Sequence, residues 1–185
     1  MERLNPNSRR DAYGSKINRD HSLALVYGIP WLTIMLGSLT PLLPIIAPAP
    51  VFPPLGYIML LGWRLSRPGL LPMWAGLPLG LVDDLFSGQP LGCGVLLFSL
   101  TMIGLELLEA RFPWRNFWQD WLLACILVPI YLVVAALLSG TGFALSQLYL
   151  LIPQILLSLV AFPIVVSLVS VLDRLRLRRF KPMFR

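Results

Sequence analysis

The chain has 185 residues, of which 57% are hydrophobic and only 13% charged, with a mean hydropathy of +0.75. These values exclude an ordinary soluble domain, in which about a quarter of the residues are charged, and indicate an integral membrane protein. The net charge of +6 does not indicate nucleic-acid binding, because the basic residues are confined to the two ends and to short loops between apolar runs, as in a membrane topology signal.

Residues 1–22 are polar and basic without any hydrophobic period, which predicts a cytoplasmic tail. The apolar runs that follow predict an all-α membrane protein with six transmembrane helices in one bundle, between residues 23 and 172. The predicted helices span residues 23–43, 51–63, 70–86, 91–108, 122–138 and 148–172. The second run is short for a span and follows a proline-rich connection. A second basic tail, residues 173–185, closes the chain.

The distribution of basic residues predicts the orientation of this bundle. Six spans place both termini on the same side of the membrane. The segments on that side, 1–22, 64–69, 109–121 and 173–185, then hold all fifteen Lys and Arg residues of the chain. Because basic loops are retained in the cytoplasm, we predict that both termini are cytoplasmic.

The stretch from Gly76 to Gly92 departs most from a generic membrane sequence. Gly76, Gly80 and Asp84 recur every four residues and therefore lie on one side of a helix. Two glycines at this spacing allow another helix to approach closely within a bilayer. The Ser-Gly-Gln-Pro sequence that follows predicts a turn, so that the helix ends near Phe86. We predict a partner-binding or structural motif formed by Gly76, Gly80, Asp84, Ser87, Gly88, Pro90 and Gly92.

Two adjacent carboxylates, Asp83 and Asp84, fall at the predicted outer end of the third helix. The pattern leaves several interpretations open: both are solvated at the interface, or Asp84 binds a partner helix, a loop N–H group or a cation, or it takes part in a proton or ion relay. The relay would lack a continuation, because Glu106 and Glu109 are predicted on the opposite side. We expect those two glutamates to be neutralised by a nearby arginine, Arg111 or Arg115.

Catalytic chemistry has no candidate residues in this sequence. It contains no Ser-His-Asp set, metal-ligand cluster or phosphate-binding loop, so we predict neither an enzyme nor a cofactor or metal site. The C-terminal tail predicts a basic cytoplasmic surface that contacts anionic lipids. This surface comprises Arg174, Arg176, Arg178, Arg179 and Lys181.

The motif and the residues before it resemble the MreD family of bacterial rod shape-determining membrane proteins. The resemblance rests on Pro54, Trp63 and Pro68, followed by Gly76-x3-Gly80-x3-Asp84-x2-Ser87-Gly88-x-Pro90-Leu91-Gly92. The family pattern has a single acidic residue, at the position of Asp84, so that Asp83 is additional here.

This resemblance implies a multi-pass, non-enzymatic scaffold of the cell-elongation (rod) complex in the bacterial inner membrane, with roles in cell shape and peptidoglycan synthesis. The implied direct partner is MreC. MreB, RodA and the transpeptidase that works with RodA would be partners through the complex. The family is also similar to the six-helix substrate-binding subunits of vitamin (ECF-type) transporters, and this supplies an alternative function, substrate binding for a small-molecule membrane transporter.

Overall fold

The computed structural model describes residues 19–20, 23–42, 52–111, 116–140, 145–176 and 181–182. Within these ranges the chain is helical apart from one short antiparallel pair, in which strand β1 (Arg19–Asp20) lies beside strand β2 (Lys181–Pro182). Six α-helices follow one another: α1 (Leu23–Ser38), α2 (Leu55–Ser66), α3 (Gly76–Ser87), α4 (Cys93–Arg111), α5 (Phe117–Leu138) and α6 (Leu145–Arg176).

Three stretches of the described chain are long and apolar enough to cross a membrane: Cys93–Arg111, Phe117–Leu138 and Tyr149–Leu175. A fourth apolar stretch, Val26–Leu42, is shorter. The α6 helix also leaves many large apolar side chains exposed, including Leu156 and Ile164. Because exposed apolar surface of this extent is costly in water, these features identify a membrane protein.

Several helices begin or end elsewhere than the apolar runs predict. The α3 helix starts at Gly76 instead of residue 70, because Pro72 is extended and a 3₁₀ turn, Met73–Ala75, intervenes. The α5 helix starts at Phe117 instead of residue 122. There a capping box places the Asn116 side chain on the backbone of Gln119, while the Gln119 side chain accepts a hydrogen bond from the Asn116 N–H group at 3.1 Å.

The α2 helix, which the sequence predicts as the weakest span, is the centre of the bundle. Every residue from Gly56 to Leu65 except Met59 is buried. Its 12 residues would reach about 18 Å, well short of the roughly 30 Å of bilayer hydrocarbon. It packs against α1, α5 and α6, while α3 packs mainly on α4. The central helix is therefore surrounded by protein more than by lipid.

Candidate functional site

The glycine face of α3 lies directly against α4. A Cβ atom added to Gly80 would be 2.5 Å from the Gly94 carbonyl oxygen, and one added to Gly76 would be 2.9 Å from the Cα atom of Ser99. These distances are too short for any side chain larger than hydrogen. The helix that packs on the glycine face of α3 is therefore α4 of the same chain, and the two helices form a tight hairpin.

The turn of this hairpin depends on two glycines with left-handed backbone conformations. Gly88 follows the last residue of α3, Ser87, with φ = 69°, and Gly92 precedes α4 with φ = 99°. Residues with a Cβ atom rarely adopt either conformation. Pro90 lies between them, and its carbonyl accepts a hydrogen bond from the Cys93 N–H group at 3.1 Å. The turn residues thus reverse the chain within a few residues.

Asp84 joins the two helices of the hairpin. Its Oδ1 atom accepts a hydrogen bond from the Gly94 N–H group at 2.6 Å, and its Oδ2 atom accepts others from Gly92 at 2.8 Å and Val95 at 3.2 Å. The first N–H groups of a helix have no partner within the helix and carry its positive dipole end. A buried carboxylate from α3 therefore caps the start of α4. Loop N–H groups are one of the partners that the sequence leaves open for Asp84.

Asp83 is buried with only 6% of its surface exposed, which excludes the solvated carboxylate that the sequence leaves open as one interpretation. Its Oδ2 atom accepts a hydrogen bond from the Tyr131 hydroxyl at 3.1 Å. Its Oδ1 atom would lie 3.0 Å from a Cβ atom on Gly56, in the first turn of α2. The two neighbouring carboxylates therefore face two different helix starts, Asp84 that of α4 and Asp83 that of α2.

An aromatic stack extends this contact into the core. The ring of Tyr131 stacks on that of Tyr57 with centroids 4.0 Å apart, and Phe98 packs edge-on against both. The Tyr57 hydroxyl is 2.9 Å from the hydroxyl of Thr101 on α4. One buried network of hydrogen bonds and rings thus connects α2, α3, α4 and α5.

A second glycine contact, which the sequence does not predict, joins α1 to α2. A Cβ atom on Gly37 would lie 2.9 Å from the backbone nitrogen of Gly56, and one on Gly56 would overlap the Ser38 hydroxyl. The two segments are separated by the proline-rich connection. The only sequence signal available was the pair of small residues, Gly37 and Ser38, at the end of an apolar run.

The opposite end of the bundle is held by ion pairs from α2. Arg64, predicted in a loop, lies within α2 with its side chain fully buried, and it forms ion pairs with Glu106 and, at 2.9 Å, with Glu109. The sequence predicts Arg111 or Arg115 as the residue that neutralises these glutamates, whereas the structure pairs both with Arg64. Arg115 lies outside the described residues. Arg67 donates a hydrogen bond from Nε to Asp173 of α6 at 2.9 Å.

The predicted basic surface is described only in part. Arg174 is exposed on the last turn of α6, Arg176 ends that helix, and Lys181 lies in β2. Arg178 and Arg179 fall outside the described residues. Among the residues searched, no group of three or more His, Cys, Asp or Glu side chains is placed to hold a metal ion.

The model of the family described as rod shape-determining protein MreD matches residues 23–176, which covers all six helices. No curated protein and no solved structure matches the chain.

Proposed function

Since the chain belongs to the family of the rod shape-determining protein MreD, we propose that it is a non-enzymatic membrane scaffold of the bacterial cell-elongation complex. In this proposal it binds MreC directly and contributes to rod shape and peptidoglycan synthesis. MreB, RodA and the transpeptidase of RodA associate with it through the complex. The protein acts in the cytoplasmic membrane.

The single observation that most favours a scaffold is that both aspartates accept hydrogen bonds from groups within the protein. Asp84 accepts three backbone hydrogen bonds from the start of α4, and Asp83 accepts one from Tyr131 of α5. Carboxylates that bind and release a proton or ion need a changing set of partners, whereas these are held by fixed internal donors. Within the described chain, the motif thus fixes α3 against α4 and α5. In this proposal, partner proteins bind the surface of that fixed arrangement.

We further propose that the chain crosses the membrane six times, with both termini in the cytoplasm. The backbone pairing of Arg19–Asp20 with Lys181–Pro182 supports placing both tails on the same side of the membrane, and the distribution of Lys and Arg makes that side the cytoplasm. The ion pairs of Arg64 and Arg67 would then lie near the cytoplasmic surface and the Gly76–Gly92 motif near the outer surface. Reporter domains fused after Arg19 and after Arg185 should both report cytoplasm, and one inserted within residues 139–147 should report the outside. A C-terminal reporter on the outside would contradict this topology.

The alternative, substrate binding for a transporter, has weaker support. A cavity of about 340 Å³ lies between α4 and α5, and the polar side-chain atoms among its lining residues are the hydroxyls of Tyr57, Thr101 and Tyr131. The Tyr57 and Thr101 hydroxyls face each other, and that of Tyr131 donates to Asp83. Sites for small polar ligands present several unengaged polar groups, so this cavity does not favour a soluble substrate.

The scaffold proposal is tested by purifying the tagged full-length protein from native membranes and identifying the proteins that come with it. We expect MreC among them, and we expect depletion of the protein to convert rods into wide or round cells. Recovery of the protein without MreC, together with normal cell width after depletion, would refute the proposal. Uptake of a vitamin lost on depletion, with cell width unchanged, would favour the transporter.

A further inference from the structure

A groove runs along the outside of the bundle between α4 and α5. It has a volume of about 340 Å³, and Tyr57 of α2 forms part of its floor. The side chains at its rims, Leu100 and Ile130, are 57% and 52% exposed. The groove therefore opens toward the surroundings of the bundle, and the residues that line it are nearly all apolar.

The groove exists because α4 carries a glycine at its middle. No atom lies within 4 Å of the position that a Cβ atom on Gly104 would take, in contrast to the tightly packed Gly80. Gly104 thus has no close packing partner among the described residues, and its missing side chain leaves space between the helices. A larger residue at this position would fill the groove without disturbing a contact within the protein.

The dimensions of the groove indicate what it can hold. Its α4 lining runs from Leu97 to Leu108, which at 1.5 Å per residue is roughly 16 Å, about half of the ~30 Å hydrocarbon layer. The groove is too short for a transmembrane helix, which must cross the whole hydrocarbon layer. It suits one extended hydrocarbon chain within one leaflet.

A positive charge stands at one end of this groove. The lining of α4 continues by one helical step from Leu108 to Arg111, the exposed last residue of the helix. The acidic side chains of the preceding turn, Glu106 and Glu109, form ion pairs with Arg64. Arginine is well suited to bind phosphate, and this end of the bundle is the proposed cytoplasmic end.

We propose that the α4–α5 groove binds one acyl chain of a glycerophospholipid from the cytoplasmic leaflet, with the lipid phosphate at Arg111. The choice of leaflet rests on the topology under Proposed function; the chain-binding groove itself does not. The hydroxyls at the floor bond to each other and to other protein groups, so the occupant needs no polar atom along its buried length. Any phospholipid with a phosphate and a saturated or singly unsaturated chain meets these requirements.

The test uses the full-length protein in liposomes that contain a phospholipid with a photoreactive diazirine in the middle of one acyl chain. After irradiation, cross-linked peptides are mapped by mass spectrometry. We expect adducts to concentrate on residues 97–108 and 123–134 and to be lost from these segments in Gly104→Leu. The matched control is Gly28→Leu, because Gly28 of α1 also has no atom within 4 Å of a Cβ position and does not line this groove. The control should keep the wild-type adducts.

The headgroup is tested by Arg111→Gln with the probe as phosphatidylglycerol or as phosphatidylethanolamine. Reduced adducts with both lipids are expected if the shared phosphate is bound, and unchanged adducts would overturn the role of Arg111. If the adducts are instead spread evenly over the exposed faces, including α6, and do not change in Gly104→Leu, then the groove contacts lipid no more specifically than the rest of the surface. That result would overturn the proposal. If lipid adducts are absent and Gly104→Leu instead prevents a protein from co-purifying, the groove binds a polypeptide and the proposal fails. These readouts do not depend on cell shape or MreC.

Discussion

Replacing Asp84 tests the central claim that this carboxylate holds the start of α4. Its side chain is 3% exposed and accepts hydrogen bonds from Gly92, Gly94 and Val95. Asp84→Ala removes all three acceptors together with the negative charge at the helix start. Asp84→Asn keeps the shape and one oxygen acceptor, but it loses the charge and presents an amide N–H group to a backbone donor.

The expected magnitudes follow from these contacts. In Asp84→Ala, the buried Gly94 N–H group loses its partner at a cost of about 1–3 kcal/mol, while water can reach the exposed Gly92. Losing the charge at a helix N-terminus adds roughly 0.3–1 kcal/mol. We therefore expect a loss of about 2–4 kcal/mol for Asp84→Ala and roughly half of that for Asp84→Asn.

The free energy of unfolding can be measured by titrating purified protein in mixed micelles with a denaturing detergent. Leu85→Ala is the matched control, because the neighbouring Leu85 is 62% exposed and should change stability little. In cells, Asp84→Ala should impair rod shape more than Asp84→Asn. An alanine variant as stable as wild type would refute the capping role. Equal and complete failure of both variants in cells, with MreC still bound, would instead favour a titrating or ion-binding carboxylate and count against the scaffold.

Three further predictions concern other contacts of the bundle. Gly80→Ala should destabilise the hairpin by about 1–3 kcal/mol or more, because the added methyl group would overlap α4, whereas Gly28→Ala should be tolerated. If the two variants have the same effect in the denaturing-detergent titration, the close approach of α3 and α4 is not required. Arg64→Met should cost about 3–5 kcal/mol because it removes the buried cation that pairs with the partly buried Glu109 carboxylate, and a stability equal to wild type would contradict the importance of this ion pair. Tyr131→Phe should cost about 1–3 kcal/mol by removing the hydroxyl that Tyr131 donates to Asp83, and because the ring stack is kept, the same substitution in an Asp83→Asn background should cost less.

Local patterns predicted the hairpin better than any other part of the fold. The four-residue spacing of Gly76, Gly80 and Asp84 indicated a small face ending in an acid, and the turn residues indicated where α3 ends. Both are short-range features, governed by helix geometry and by the backbone freedom of glycine. The identity of the helix on that face could not be read from the spacing, because any neighbouring helix would satisfy it.

Long-range contacts account for what the sequence did not reveal. A charged residue such as Arg64 is expected in a loop, and its burial is explained only by its ion pairs with Glu106 and Glu109. Nothing local distinguishes Asp83 from Asp84, so the sequence leaves a solvated position open for both; the residue that donates to Asp83, Tyr131, lies 48 residues away. The central position of α2 likewise depends on helices that surround it, so its short apolar run gave the appearance of a weak span.

The sequence separations of these contacts also imply an order in which the bundle assembles. The bonds of Asp84 join residues only 8–11 positions apart, so the α3–α4 hairpin can close once α4 has left the ribosome, before α5 and α6 are complete. The Tyr131–Asp83 bond must wait for α5, and the Arg67–Asp173 pair, 106 residues apart, for the end of α6. Contacts with short loops form first because closing them costs less entropy. The growing chain would therefore contain the complete α3–α4 hairpin before the helices that pack against it are present. The last helix, α6, would then fix α2 in its central position.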